Sequence, residues 1–192
     1  MNLPDSQHYS ATLPGNPEVA MNMMGHLITP DERILRALHN SRLAEGLGDS
    51  EISELTRLIS VQSFEVRELV IELDDDPLKD ALMILVDGEV EINAMVGNEP
   101  VSLFLAWPGD LARIISFVGG NMMSVSSRII VKRDSTVLLL QRSRLESLLH
   151  THPAIVYGVM RNLVLHLHGM ARQKNAEKEE LKNYFYSMHG RY

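Results

Sequence analysis

GDLARIISFVGGNMMSVSSRIIVKRDSTVLLL, residues 109–140, is the stretch that decides the fold of this chain. A Gly-Asp pair opens it, and an apolar run from Ile114 to Val118 follows. Gly119-Gly120 comes next, and Met122 and Met123 beside it read as gap-filling core. Two apolar-rich strands come next, SSRIIV and STVLLL, separated by the charged residues Lys132, Arg133 and Asp134. Two such strands within 32 residues point to a β fold.

The strand pattern extends upstream. VQSFEV, ELVIEL, ALMILVDGEVEI and VSLFLAW are each bounded by Asp, Pro, Gly or Asn, and the spacing predicts a closed jelly-roll β-barrel over 61–141. Asp87-Gly88 inside ALMILVDGEVEI predicts a hairpin, because Gly takes the positive φ of a tight turn. Residues 30–60 read as a helical lead-in. A first helix behind Asp31 carries Ile34, Leu35, Leu38 and Leu43 on one face and stops near Gly46. A second is capped by Asp49 or Ser50 and carries Ile52, Leu55, Leu58 and Ile59. Residues 1–29, with three prolines, two glycines and no periodicity, read as a flexible arm. The fold class is therefore mainly β with flanking helices (α+β): N-terminal helices, a jelly roll, and C-terminal helices over 142–190.

Three segments resemble the cyclic-nucleotide-binding domain family, of the catabolite-activator-protein-like sensor type. Asp80 to Ile92 is similar to the family's Asp-Ala-Leu-Tyr-Ile-Leu-x-x-Gly-Glu-Val segment, and Gly46-Leu47-Gly48-Asp49 resembles the signal that precedes its barrel. Residues 109–140 resemble its ligand cassette, Gly-Asp-Phe-Phe-Gly-Glu, a short helix, Arg-Ser-Ala-Thr-Val, and a strand reading Asp-Ser-Thr-Val-Leu-Leu-Leu. Gly109 and Asp110 match the front of the cassette, and Asp134 to Leu140 match its closing strand. Counting back from that strand sets Ser126 and Ser127 on the Ser-Ala pair and Val125 on the phosphate-binding Arg. At the front, Arg113 stands in place of the family's Glu.

The resemblance implies that the Glu accepts the ribose 2′-hydroxyl and the Arg neutralises the cyclic phosphate. A phosphate at a helix N-terminus is met by backbone N–H groups, but its charge is normally matched by a bidentate Arg. Val125 offers neither charge nor donor, and Arg113 replaces an acceptor with a cation. Each change alone weakens binding by about tenfold or more. The expectation is a degenerate site that has lost cAMP and cGMP and needs no cofactor. A slip of register in the loop would let Arg128 compete for the phosphate. An alternative is thus a receptor for a different anionic nucleotide such as cyclic di-GMP, held by Arg113 and Arg128.

After the barrel, Ser143 to His150 reads as a short helix, and a longer one follows His152-Pro153. Val156, Met160, Leu163, Leu167 and Met170 recur at spacings of four and three, and Val159 widens the seam. This predicts a homodimer interface, as the equivalent helix forms in the family's transcription factors, with packing onto the chain's own barrel as the alternative. RQKNAEKEELK then predicts an exposed helix, and Leu181, Tyr184, Phe185 and Tyr186 a terminal docking patch for an unidentified protein partner. The winged helix-turn-helix that those transcription factors append has no counterpart before Tyr192, so direct DNA binding by such a module is not expected.

Composition narrows the function further. A formal charge of −7 disfavours a general nucleic-acid binder. Residues 61–100 carry eleven acids against Arg67 and Lys79, whereas 111–150 carry six bases against Asp134 and Glu146. No membrane span or secretory leader is visible, and a cytoplasmic location is expected. The chain has no cysteine, and none of its eight histidines falls in the predicted barrel, so neither thiolate catalysis nor a cupin-like metal site is expected. The reading is a non-catalytic regulatory or scaffolding module, not an enzyme.

Overall fold

Two uninterrupted apolar runs, Ala81 to Val86 and Val137 to Leu140, require burial on both faces, and they lie side by side at the centre of the sheet. The computed structural model describes residues 30–67, 78, 80–96, 99–119 and 127–189. The predicted arm at 1–29, the predicted strand ELVIEL, Val125 and Ser126 lie outside the described residues, as do the side chains of the predicted terminal aromatic patch.

The elements run α1 (Pro30–Asn40), a 3-10 turn (Arg42–Ala44), α2 (Asp49–Leu58), β1 (Ile59–Phe64), β2 (Ala81–Val96), β3 (Glu99–Leu105), β4 (Leu111–Ala112), α3 (Ile114–Gly119), β5 (Ser127–Gln141), α4 (Arg142–Glu146), a second 3-10 turn (Ser147–Leu149) and α5 (Pro153–His189). The sheet is antiparallel with strand order β1-β5-β2-β3, and β4 adds to β2.

β2 separates two cores. Leu82, Ile84 and Val86 pack under the helices, with Leu138, Leu140, Phe117, Leu145, Val159 and Leu163. Ala81, Met83 and Leu85 face a second core built from strand side chains and Leu78. Val90 and Ile92 share that second core, so the inward set changes from odd to even numbers within one strand. Register shifts between Leu85 and Val90 cause the change, since each extra residue turns the following side chains to the opposite face.

These shifts correct the hairpin expected at Asp87-Gly88. β2 continues through both residues, and the chain reverses between Val96 and Glu99. Gly88 has φ +107°, and a Cβ there would lie 2.1 Å from Ser135 Oγ and 2.5 Å from Ser135 Cα. Close approach of β5 at a bulge, not a tight turn, requires this glycine. Ser135 is buried, and its hydroxyl accepts from Glu89 N–H at 3.0 Å and donates to the Arg133 carbonyl at 2.5 Å. SSRIIV and STVLLL likewise belong to one strand, β5, because the polar residues between them are stitched to neighbours. Asp134 Oδ1, for example, accepts the Val66 N–H at 2.7 Å.

The lead-in helices differ from expectation in detail. Ala37 and Leu38 are the fully buried residues of α1, while Leu35 is 39% exposed. α1 stops at Asn40, and the 3-10 turn carries the chain to Gly46. Gly48 stands at the N-cap of α2 in place of Asp49 or Ser50, and its N–H donates to Glu51 Oε2 at 2.8 Å. α5 begins with Pro153, whose missing N–H costs nothing in a first helical turn, and its 37 residues extend for about 55 Å. Among the described residues, those it buries are Ile155, Val156, Val159, Asn162 and Leu163. Asn162 Nδ2 donates to the carbonyls of Leu43 and Glu45 at 3.1 and 2.7 Å, which ties α5 to the first 3-10 turn.

Candidate functional site

Gly109 and Asp110 build the turn that delivers β4 to the sheet. Gly109 adopts φ +98°, and a Cβ there would meet the backbone of Asn40 and Ser41 at 2.8 Å, at the end of α1. Its N–H donates to Leu85 O at 2.8 Å, and Leu85 N–H donates to Asp110 O at 2.9 Å. The Asp110 carboxylate accepts the N–H groups of Ala106 and Trp107, both at 2.9 Å. The carboxylate bonds close the turn and the others fasten it to β2 and to the end of α1, so the two residues act as scaffold. β4 then pairs with β2 at Met83↔Ala112 and Ile84↔Leu111.

Arg113 follows with φ +65°, a left-handed conformation uncommon for a residue with a Cβ. Its carbonyl accepts the Phe117 N–H at 2.9 Å, the first bond of α3. Its guanidinium donates to Leu78 O at 3.1 Å and to Ser127 Oγ at 3.4 Å, joining the entrance of β2 to the start of β5. Two of the predicted site residues, Arg113 and Ser127, therefore meet. Arg128 sits opposite Asn93 in the β2–β5 ladder and is exposed.

Between this cassette and α5 lies a cleft of about 180 Å³. Ile92 and Ala94 of β2, Val101 and Leu103 of β3, Leu111, Ala112, Ile114 and Ile115 make its floor and walls. Leu167, Met170 and Lys174 of α5 close it. Ser102, Ser116 and Ser127 add hydroxyls, and Arg113 and Lys174 are its two cations. No acidic side chain lines it among the described residues, and Arg128 does not border it.

A cyclic nucleotide-binding domain from Methylobacillus flagellatus superposes with a TM-score of 0.61 at 19% identity, covering 79% of this chain and 83% of that one. The catabolite activator protein of Thermus thermophilus gives 0.57 at 23% identity over 74% of this chain, which spans 63% of that protein's length. The regulatory subunit of a cAMP-independent protein kinase A from Trypanosoma brucei gives 0.53 at 19%, covering 77% and 49% of the two chains. The fold is that of a cyclic-nucleotide-binding domain. No family model matches the chain, and no curated protein matches it in sequence.

Within that fold, the seam foreseen on α5 divides. Val159 and Leu163 are fully buried and Val156 is 8% exposed, all three in the helix-side core of their own chain. Met160 and Leu167 pack against the same core. Val156, Val159 and Leu163 of the expected interface are therefore turned into their own chain's core, whereas Met160 and Leu167 are only partly buried. Met170 borders the cleft. Among the described residues, the large apolar side chains that α5 leaves exposed are Tyr157, Val164 and Leu165. Phe104 and Trp107 are also exposed and border a groove shared with His166 and Met170.

Sequence reading missed the place of Lys174. The signal was present, since 156, 160, 163, 167, 170 and 174 continue one helical seam and a cation at its end breaks the apolar rule. Electrostatics elsewhere are modest. A hydrogen bond from Lys132, helped by one from Asn93, holds the Glu91 carboxyl below its usual range. Burial lowers the pKa of His166, and the charge of Arg42 adds to this while Asp110 opposes it. Among the described residues, no group of three or more His, Cys, Asp or Glu could hold a metal ion, and no helix is long and apolar enough to cross a membrane.

Proposed function

We propose that this chain is a non-catalytic regulatory module that has kept the cyclic-nucleotide-binding frame, has given up cAMP and cGMP, and acts through protein contacts. The observation that carries the reading is the position of Arg113. Where the family's pattern sets an acceptor for the ribose hydroxyl, this guanidinium is tied to Leu78 O and Ser127 Oγ. A buried ribose hydroxyl facing a guanidinium would lose an acceptor and meet only donors, at a cost of about 1–3 kcal/mol. The regulatory subunit described as belonging to a cAMP-independent kinase offers a fold-level precedent for such a frame. The cyclic di-GMP alternative requires Arg128 beside Arg113, and its exposed place on β5 gives that reading no support.

The contact surface of this reading is the exposed side of α5. Tyr157 and Val164, seven residues apart on α5, share one helix face with Leu165 beside them, and all three are 53% or more exposed, an apolar surface suited to burial by a partner. A second copy of the chain is the partner we assign to it. Sedimentation velocity over a concentration series tests this: the wild type should pass from monomer to dimer, and Val164→Glu/Leu165→Glu should remain monomeric. A wild type that stays monomeric to about 100 μM, well above the micromolar range of ordinary specific complexes, would remove the dimer from the account.

A further inference from the structure

We infer that the outer edge of β1 is a docking site for a strand, and that its occupant is the chain's own His8 to Leu13, added beside β1 as a further strand of the sheet. This goes beyond the functional reading above, and its test does not depend on that reading.

The edge is open and unguarded. β1 ends the strand order β1-β5-β2-β3, and β5 is its one partner among the described residues. Ser60, Val61, Gln62 and Ser63 are all exposed, so neither face of the strand is covered over four successive positions. The backbone N–H and C=O groups of such an edge can template another strand, and proteins usually blunt them with a charge, a proline or a bulge. ISVQSF has none of these, and its ladder with β5 runs without a break from Ile59↔Leu140 to Phe64↔Ser135. β3, which ends the order on the other side, opens with Glu99-Pro100.

The two faces specify the strand that fits. Val61 stands opposite Leu138, which is fully buried in the helix-side core, yet Val61 itself is 51% exposed. That apolar layer therefore runs out uncovered at the edge. Ser60 and Gln62 occupy the other face. An incoming strand needs apolar side chains at alternate positions and small polar ones between them.

The first 29 residues carry no period as a whole, but His8-Tyr9-Ser10-Ala11-Thr12-Leu13 alternates in this way. In a strand, Tyr9, Ala11 and Leu13 share one face, and His8, Ser10 and Thr12 the other. Tyr and Thr favour strands, and Pro4-Asp5 and Pro14-Gly15 bound the run. Glu18 to Met23 alternates too, but through Glu, Ala and Asn, which strands disfavour.

Reach is sufficient. Arg33, near the start of α1, is ion-paired with Asp87, Asp87 pairs with Thr136 in the ladder, and Thr136 pairs with Ser63. Two strand spacings, roughly 10 Å, separate Asp87 from β1. A linker of the length of residues 14–29 extends to about 50 Å. Tethering within one chain gives an effective concentration on the order of millimolar, which favours this segment over a separate chain at micromolar concentration.

Disulfide trapping on the full chain is the test. The sequence has no cysteine, so Val61→Cys combined with one cysteine in the arm gives a single possible pair. Neighbouring strands, about 4.8 Å apart, fall inside the Cα separation that a disulfide spans. Under mild oxidation of dilute protein, coupling within the chain should be fastest with Tyr9→Cys, Ala11→Cys or Leu13→Cys, and at least about tenfold slower with Ser10→Cys and Thr12→Cys, whose side chains take the other face. Hydrogen exchange adds a readout without cysteine. Ala11→Pro, which removes a strand donor without touching the barrel's sequence, should speed exchange of the Ser60 to Ser63 amides by about tenfold and leave Val137 to Leu140 unchanged. No coupling, equal rates at odd and even positions, faster coupling with Val19→Cys or Met21→Cys, or links only between chains would each overturn the proposal. Unaltered exchange in Ala11→Pro would do the same.

Discussion

The two halves of α5 carry the same periodicity and have different jobs. From Ile155 to Leu163 the seam is buried under the sheet, and Asn162 anchors it through two backbone carbonyls. From Leu167 to Lys174 the same seam roofs a cleft, and Ala171 to Glu177 are exposed. Apolar spacing alone therefore specifies which side of a helix faces inward, and leaves open whether inward means a packed core, a ligand or a second copy.

Substitutions can separate the halves, and the largest effect belongs in the first. Leu163→Ala removes a fully buried side chain and should lower the unfolding free energy by about 3 kcal/mol in urea denaturation, within the 2–5 kcal/mol range for such cavities. Leu167→Ala, only partly buried, should cost less than half as much. Equal losses at both positions would break the distinction. Asn162→Leu leaves the Leu43 and Glu45 carbonyls without their donor and should cost about 2 kcal/mol by the same method. Val164→Glu/Leu165→Glu, on the exposed side, should change stability by no more than about 0.5 kcal/mol while abolishing self-association.

The smallest effect is a pH slope at the junction of the halves. His166 has a folded pKa below the ordinary 6.5, because burial and Arg42 disfavour its charged form and Asp110 only partly offsets them. Between the two values the unfolded chain binds more protons. The stability that the neutral ring contributes is therefore complete above about pH 6.5 and is lost as pH falls toward the folded value. His166→Gln should flatten that segment of the stability profile, and an unchanged slope would place its origin elsewhere.

Much of the frame was legible in the residues. ALMILV and STVLLL read as strands, and both lie in the sheet. Asp87-Gly88 misled because the positive φ that suits a hairpin also suits a bulge, and the deciding fact, Ser135 2.1 Å from a would-be Cβ, lies 47 residues away in sequence. Leu35 misled because the buried arc of α1 is centred on Ala37 and Leu38, and a small residue hid the centre of that arc. Arg113 and Ser127 were singled out and do meet, but Lys174 joins them only because α5 lies across the cassette. Local pattern cannot supply a contact of that range.

The central claim is that the cassette has kept its frame and exchanged its nucleotide contacts. Calorimetric titration with cAMP of the wild type beside an Arg113→Glu/Val125→Arg variant tests it most directly, with both proteins first stripped of carried-over ligand. The account predicts no saturable heat from the wild type up to about 1 mM and measurable cAMP binding gained by the variant, since the two substitutions restore an acceptor for the ribose and a cation for the phosphate. Saturable binding of cAMP by the wild type at micromolar concentration would contradict it.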